Sequence, residues 1–526
     1  MNANIRRLAI VFTIIFGLIS LDLVYYQVID AGTLDNTASA GSDCPSSAAC
    51  FHNPRILLQE QDVIRGGFYD RNGTILVGRW RKPDGFVQTI YKDWSLAQTI
   101  GYHSITYGDS GLQASLNSYL VGQSGTSWSQ TFNSWLHRPV TGDDVYLTID
   151  DKVQQAAVSA IQSSLAENGL SPNTPAAAVA FNPTTGQILA MVSKPYFDPT
   201  CLDSESHAAE YACYQRIEAI PGVPNVQASP LVNRVTDGLF PPGSTFKTVT
   251  LAGGLDTGDV SLSDEFSGSQ ATGPYTIDGY TLTNATSNLP PGRTAASLLQ
   301  AFMWSDNIVY AQVGLKLGWS TLLRYANGFR LGQPIPFDIP VSPSSILAPG
   351  EKHDDITLAT SAFGQGHDQV TPMQMMLIAG AIADGGKLAL PTLVKAIKTP
   401  EGTVVKSDSP SIHDTSISAS TAAKVRYAME QVVSGYYGSG YEAAIPGILV
   451  AGKTGTAQTG NPNQLDTWFI SFAPADHPTV AVAVVVQAPS YCPGLGAAYT
   501  DSTCEGAYIS APIARQIMET AIQDGD

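Results

Sequence analysis

The chain has 526 residues, 44% hydrophobic and only 14% charged, which supports two or three domains with large cores and excludes a disordered chain. Its net charge of −17 argues against nucleic acid or any other polyphosphate as a partner.

The first element is an apolar run over residues 8–29, preceded by Arg6 and Arg7 and ending near Tyr25 and Tyr26. About 20 apolar residues span a bilayer, and basic residues stay on the cytoplasmic side. The run is expected to be an uncleaved single-pass anchor in a plasma membrane with everything after it outside the cytoplasm, since no small-x-small cleavage site follows promptly. Asp22 interrupts the run and is expected either at the outer headgroups or against a partner helix. The six cysteines all follow the anchor in three close pairs, Cys44 with Cys50, Cys201 with Cys213 and Cys492 with Cys504. In an exported chain such pairs predict three disulfides closing short loops. No cysteine or histidine spacing asks for a metal, and no cofactor is expected.

Three segments follow from this: a cytoplasmic tip and anchor (1–29), a mixed, β-rich pedestal (30–140) and a large unit (141–526). The pedestal opens with a loop-rich linker and then a hairpin about Asn72-Gly73. The large unit begins with a strand, Val145 to Ile149. A helix follows, with a capping-box pattern from Asp151 to Gln154 and an apolar face of Val153, Ala157, Ala160, Ile161 and Leu165. Two apolar arms about residues 182–186 read as a hairpin. A helix is predicted from Ser244, after Pro-Pro-Gly, to about Gly253-Gly254. Further helices run to about residue 330. Thr371, Pro372 and Gln374 mark another helix start, whose methionines read as core packing. Strand-like runs at 447–458, 467–474 and 479–489 and an amphipathic helix over 511–523 close the chain. Strands at both ends with helices between define an α+β unit whose sheet joins the two ends.

Three short motifs carry chemistry. Ser244 and Lys247 are one helical turn apart, so the serine has a base beside it and the free N–H groups of a helix start around it. Ser305-Asp306-Asn307 lies between helical segments, and Lys453-Thr454-Gly455 lies on a strand-like run. Any one of them is unremarkable: Ser244 could cap a helix, Ser305 likewise, and Thr454 and Thr456 could be ordinary strand residues. Together, in this order, they form the set S-x-x-K, S-D-N, K-T-G. Attack on an amide needs Ser244 deprotonated by a neutral Lys247, and a second cation, Lys453, would lower the Lys247 pKa. Ser305 can relay a proton to the leaving amine and Asn307 can hold a peptide group. Lys453, Thr454 and Thr456 offer a cation and hydroxyls to a carboxylate, with Asp306 placed in the same binding group. Gly455 lets a substrate lie along the strand edge, and backbone N–H groups of Ser244 and Thr456 can form an oxyanion hole.

In these motifs and their order, the chain resembles the class B penicillin-binding proteins, the peptidoglycan D,D-transpeptidases. The likeness runs through "RGGFYDRNGTIL", "GLQASLNSYLVG", "DVYLTIDDKVQQAA", "AFNPTTGQILAMVSKPYFDP", "NRVTDGLFPPGSTFK", "FGQGHDQVTPMQM" and "VAGKTGTAQ", and is greatest to the short-pedestal penicillin-binding protein A type. It implies a serine β-lactamase/transpeptidase-like domain with a five-stranded antiparallel sheet between helical clusters, a small pedestal and no fused glycosyltransferase. It further implies stem peptides ending in D-Ala-D-Ala as substrate, β-lactams as covalent inhibitors and a SEDS-type membrane glycosyltransferase as partner. Asp22 and the cysteine pairs depart from the family pattern. A D,D-carboxypeptidase or β-lactamase of the same fold is the competing enzyme. A non-catalytic β-lactam receptor or scaffold is the competing binder, but it would have no reason to keep the whole catalytic set.

Overall fold

A computed structural model of the chain describes residues 3–25, 63–123, 141–218, 229–283, 289–408, 413–494 and 503–525, apart from positions 84, 105, 205 and 349. Cys44 and Cys50 and the linker that holds them lie outside the described residues.

Helix α1 (Ala3–Val24) carries residues 8–24 of the apolar run, with Ile10, Phe12, Phe16 and Leu21 among its exposed side chains, and residues 26–29 lie outside the described residues. Among the described residues no helix is long and apolar enough to cross a membrane.

Two sheets organise the rest. The first begins with β1 (Phe68–Tyr69), β2 (Ile75–Arg81) and β3 (Val87–Tyr91). The turn between β1 and β2 is wider than a two-residue hairpin. The Asp70 carboxylate accepts from the N–H groups of Asn72 and Thr74, and Gly73 takes a positive φ of 89°. β4 (Asp144–Leu147) pairs parallel to β1, and β7 (Val394–Lys398) and β8 (Val404–Ser407) complete a six-stranded sheet ordered β8-β7-β4-β1-β2-β3. Strands from both sides of residue 141 thus share one sheet.

The second sheet is five-stranded and wholly antiparallel. β9 (Ala451–Gln458), β10 (Gln464–Ala473), β11 (Val480–Pro489), β5 (Ala176–Phe181) and β6 (Ile188–Lys194) follow one another in that spatial order. β11 is central and covered on both faces, which explains its unbroken apolar sequence. Its Val480, Val482, Val484 and Val486 face α9 (Ser510–Asp524), and α2 (Asp151–Glu167) packs beside α9 over β6 in the same cluster. On the other face lies α7 (Pro372–Ala383), every residue of which is buried, with Thr371 as N-cap accepting from Gln374 N. The two layers meet closely: a Cβ at Gly380 would stand 2.2 Å from the Phe181 ring.

Two local readings change. The cap of α2 is Asp150, which accepts from Lys152 N, and not Asp151. Gln154 is drawn inward instead, bonding Ser95 Oγ and the backbone of Met191. The helix after Ser244 does not stop at Gly253-Gly254. It continues as α4 (Lys247–Thr257) to a left-handed cap at Gly258. The two glycines serve packing: a Cβ at Gly253 would meet Tyr325 at 3.0 Å, and one at Gly254 would meet Val260 at 2.6 Å.

Disulfides join Cys201 to Cys213 and Cys492 to Cys504. The first ties α3 (His207–Glu218) to the short turn before it.

Candidate active site

Ser244 sits in a tight 3-10 turn, Gly243–Phe246, that leads directly into α4. Phe246, Val249 and Leu251 are fully buried and fix this helix in the core. Gly243 adopts φ 53°, donates its N–H to Gly364 O at 2.8 Å, and lies where a Cβ would press on Thr456 and Ala457 at about 3.1 Å. The serine turn is therefore wedged between the 364 loop and strand β9.

Ser305 terminates α5 (Leu298–Trp304) in a left-handed conformation, φ 65° and ψ 39°. A non-glycine residue holds that conformation at a cost of about 1 kcal/mol or more, and such positions gather at functional sites. Here it turns both the carbonyl and the hydroxyl of Ser305 toward Lys247. Asn307 opens the next helix, α6 (Asn307–Gly328).

The structure brings Ser244, Lys247, Ser305, Asn307 and Lys453 together. Lys247 Nζ lies 2.8 Å from Ser244 Oγ, 2.7 Å from Ser305 O, 3.3 Å from Ser305 Oγ and 2.6 Å from Asn307 Oδ1. Lys453 Nζ donates to Ser305 Oγ at 2.8 Å and to Thr454 O at 3.0 Å. Both lysines are fully buried. Burial first, and then the Lys453 charge, push Lys247 well below the ordinary lysine value, against the opposing pull of Asp306. Burial alone brings Lys453 down to about 7. A neutral Lys247 amine can donate its two protons to Ser305 O and Asn307 Oδ1 and turn its lone pair to the Ser244 hydroxyl.

β9 lies at the edge of its sheet beside these groups. The Thr454 hydroxyl shares a 2.9 Å hydrogen bond with Ser439 Oγ, and the exposed Thr456 accepts from Gly506 N at 3.3 Å. Gly455 has a role the sequence did not disclose. A Cβ there would meet Pro242 O and Thr245 Cγ2 at 3.0 Å and Trp468 Cβ at 3.1 Å. It lets the strand close onto the serine turn. Asp306 is placed apart from the rest of its expected group: it is fully buried, and its Oδ1 caps α6 by accepting from Ile308 N and Val309 N.

Ser439 escaped the sequence analysis. Its only signal is the glycine-rich turn "GYYGSG" shortly before the K-T-G strand.

Known proteins resemble this chain in sequence and in fold. The sequence model of the penicillin-binding protein transpeptidase domain matches residues 176–519. The chain is 30% identical, over the full length of both, to the peptidoglycan D,D-transpeptidase PbpA of Mycolicibacterium smegmatis. It is also 30% identical to the PbpA of Mycobacterium tuberculosis over 99% of each. Among solved structures it superposes on penicillin-binding protein A from M. tuberculosis as its ceftriaxone acyl-enzyme complex, with TM-score 0.77, 29% identity, and coverage of 89% of this chain and 100% of that one. The penicillin G acyl-enzyme complex of the same protein matches with TM-score 0.75 and 29% identity, over 88% of this chain and 100% of that one.

Proposed function

The chain belongs to the penicillin-binding protein transpeptidases, and from that premise we propose that it is a peptidoglycan D,D-transpeptidase with Ser244 as nucleophile and Lys247 as general base. Neutral Lys247 takes the Ser244 proton as Oγ attacks the carbonyl carbon of the penultimate D-alanine. The oxyanion is held by the backbone N–H groups of Ser244 and Thr456. Ser305 Oγ, bonded to both lysines, passes a proton to the departing nitrogen. The C–N bond breaks, D-alanine leaves, and an ester to Ser244 remains. An acceptor amine then attacks that ester, loses its proton along the same path, and forms the cross-link amide while Ser244 recovers its proton. Lys453, Thr454 and Thr456 receive the terminal carboxylate, Asn307 the peptide group, and Asp306 holds the helix start that places Asn307. A β-lactam forms the same ester, but its leaving nitrogen stays tethered and blocks the acceptor. No cofactor is called on.

The observation that carries this reading is the 2.8 Å contact of a fully buried, pKa-lowered Lys247 with Ser244 Oγ. Incubation with penicillin followed by mass spectrometry tests it. One adduct should appear on the Ser244 peptide and vanish in Ser244→Ala, and Lys247→Ala should slow its formation by roughly 10² or more. An adduct on another serine would overturn the assignment.

The same reading extends to the chain's surroundings. Residues 1–29 form a single-pass anchor in the plasma membrane, supported by Arg6 and Arg7 at the start of α1 and the exposed apolar side chains that follow them. Residues 30–140 form the pedestal and 141–526 the catalytic unit, outside the cytoplasm, where disulfides persist. Asp22 faces a SEDS-type glycosyltransferase that supplies nascent glycan. Photo-crosslinking from position 22 in native membranes should capture such a protein. Wall synthesis unchanged by an unrelated anchor would reduce α1 to a tether.

A further inference from the structure

The loop 435–440 joins α8 (Ala419–Ser434) to the segment that leads into β9. It is pinned at the site from two sides. Ser439 Oγ bonds Thr454 Oγ1 at 2.9 Å, and Ser439 N donates to Met303 O of α5 at 3.2 Å. Its glycines let it lie flat: a Cβ at Gly435 would stand 2.5 Å from Met303 Cε, and one at Gly438 would meet Val432 O at 2.3 Å.

From this pinned loop two aromatic rings project into solvent. Tyr436 is 77% exposed and Tyr437 55%. Their ring centroids lie 4.2 Å apart at 54°, and their hydroxyls are 3.4 Å apart. Tyr437 takes a φ of 62°, the left-handed region that a bulky side chain enters at a cost. Packing does not repay that cost, because the core uses neither ring. A strained backbone that displays two adjacent aromatics is the mark of a contact surface.

Acyl-transfer chemistry identifies the contact. The loop touches Thr454, on the side of the cleft that receives the terminal carboxylate and from which D-alanine leaves. By microscopic reversibility the incoming amine approaches the ester along the path the departing amine took. The molecule carrying that amine must therefore lie over the Thr454 end of the cleft, which the tyrosine-bearing loop borders through Ser439. Two exposed aromatic faces suit the aliphatic part of an amine-bearing chain.

We propose that Tyr436 and Tyr437 form the binding platform for the acceptor, the stem peptide of a second peptidoglycan strand. This rests on the transpeptidase reading above and adds to it the residues that select the acceptor over water.

The test is partition of the acyl-enzyme. Full-length protein in detergent is acylated by a D-Ala-D-Ala depsipeptide donor. It is then offered either a stem peptide with a free side-chain amine or the small amine glycinamide, which is too short to reach the loop. Tyr436→Ala should raise the half-saturating concentration of the stem peptide roughly tenfold, the usual cost of truncating an aromatic anchor. Aminolysis by glycinamide should not change, and Tyr436→Phe should restore stem-peptide use. An unchanged stem-peptide requirement, or an equal loss with both acceptors, overturns the platform. A wild-type protein that hydrolyses the donor yet joins it to neither amine would instead overturn the transpeptidase reading itself.

Discussion

Lys247 and Lys453 meet at one oxygen, the Ser305 hydroxyl, which lies 3.3 Å from Lys247 Nζ and 2.8 Å from Lys453 Nζ. Both amines are fully buried, so a proton on Lys453 raises the cost of a proton on Lys247.

Acylation by penicillin should therefore follow a bell-shaped pH profile. Lys247 must be neutral to accept the Ser244 proton, so the rate rises as pH climbs through its lowered pKa. Lys453 must be charged to attract the carboxylate, so the rate falls as pH passes about 7, where burial places that group in the free protein. Lys453→Ala removes a charge that lowers the Lys247 pKa, so the acid limb should move to higher pH. Stopped-flow acylation across the pH range reads both limbs. A rate that rises steadily into the alkaline region would contradict the assignment.

Gly455→Ala tests the fit between β9 and the serine turn. The new Cβ would stand 3.0 Å from Pro242 O and Thr245 Cγ2, tighter than ordinary contact, and neither the turn nor the strand can retreat freely. Stability should fall by about 1–3 kcal/mol, as for overpacked cores. Acylation should fall by more than tenfold, since displacing the turn by a fraction of an ångström misaligns Ser244. Urea titration and penicillin-binding rate give the two numbers. Unchanged acylation with lowered stability would show that the close approach serves only the fold.

Asp466 gives a prediction about stability against pH. It lies on β10 opposite Ala457 and Gln487, is buried, and has one carboxylate oxygen without a partner. Burial raises its pKa to about 7 despite the Gln487 contact. A carboxyl whose folded pKa is raised binds its proton more tightly when folded. Its contribution is full below the unfolded pKa and is lost as pH rises from about 4 through about 7. Asp466→Asn should therefore be more stable than the parent at pH 8, by about 2–4 kcal/mol at most, with little difference at pH 4. Equal melting shifts at both pH values would show that Asp466 does not titrate in the folded chain.

What was legible in the sequence was what local spacing decides. Ser244 and Lys247 are one turn apart in any helical geometry, S-D-N falls between helices, and Thr371 followed by Pro372 starts a helix wherever it packs. The close spacings of Cys201 with Cys213 and Cys492 with Cys504 likewise sufficed for those pairs. What was misread depends on distant partners. Gly253 and Gly254 look like a helix end until Tyr325 and Val260 are seen against them. Asp151 looks like a cap until Gln154 is claimed by Ser95 and Met191, leaving the cap to Asp150. Gly455 reads as room for substrate, and only the fold adds that its missing Cβ faces the serine turn. Ser439 has no motif at all; only folding brings its hydroxyl to Thr454.

The acyl-enzyme should be long-lived, so that β-lactams inhibit this protein and are not destroyed by it. Class A β-lactamases hydrolyse their ester with a water activated by a glutamate. In that family the glutamate lies a few tens of residues beyond S-D-N. Here the acidic residues from 306 to 351 are Asp306, Asp338 and Glu351. Each is committed elsewhere. Asp306 caps α6, Asp338 accepts from Leu393 N and Val394 N, and Glu351 binds Ala348 N and the His367 ring. None of these bonds is to Ser244 or to the lysines that serve it. Water attack on the ester should therefore be slower by roughly 10² to 10⁴, the usual worth of a general base. A transpeptidase gains from that deficit, because its ester must outlast the wait for an acceptor amine. Protein labelled with penicillin and freed of excess drug should release penicilloyl product over many minutes or longer. Repeated turnover of penicillin within seconds would place the chain with the β-lactamases instead, and would require a water-activating group outside residues 306–351.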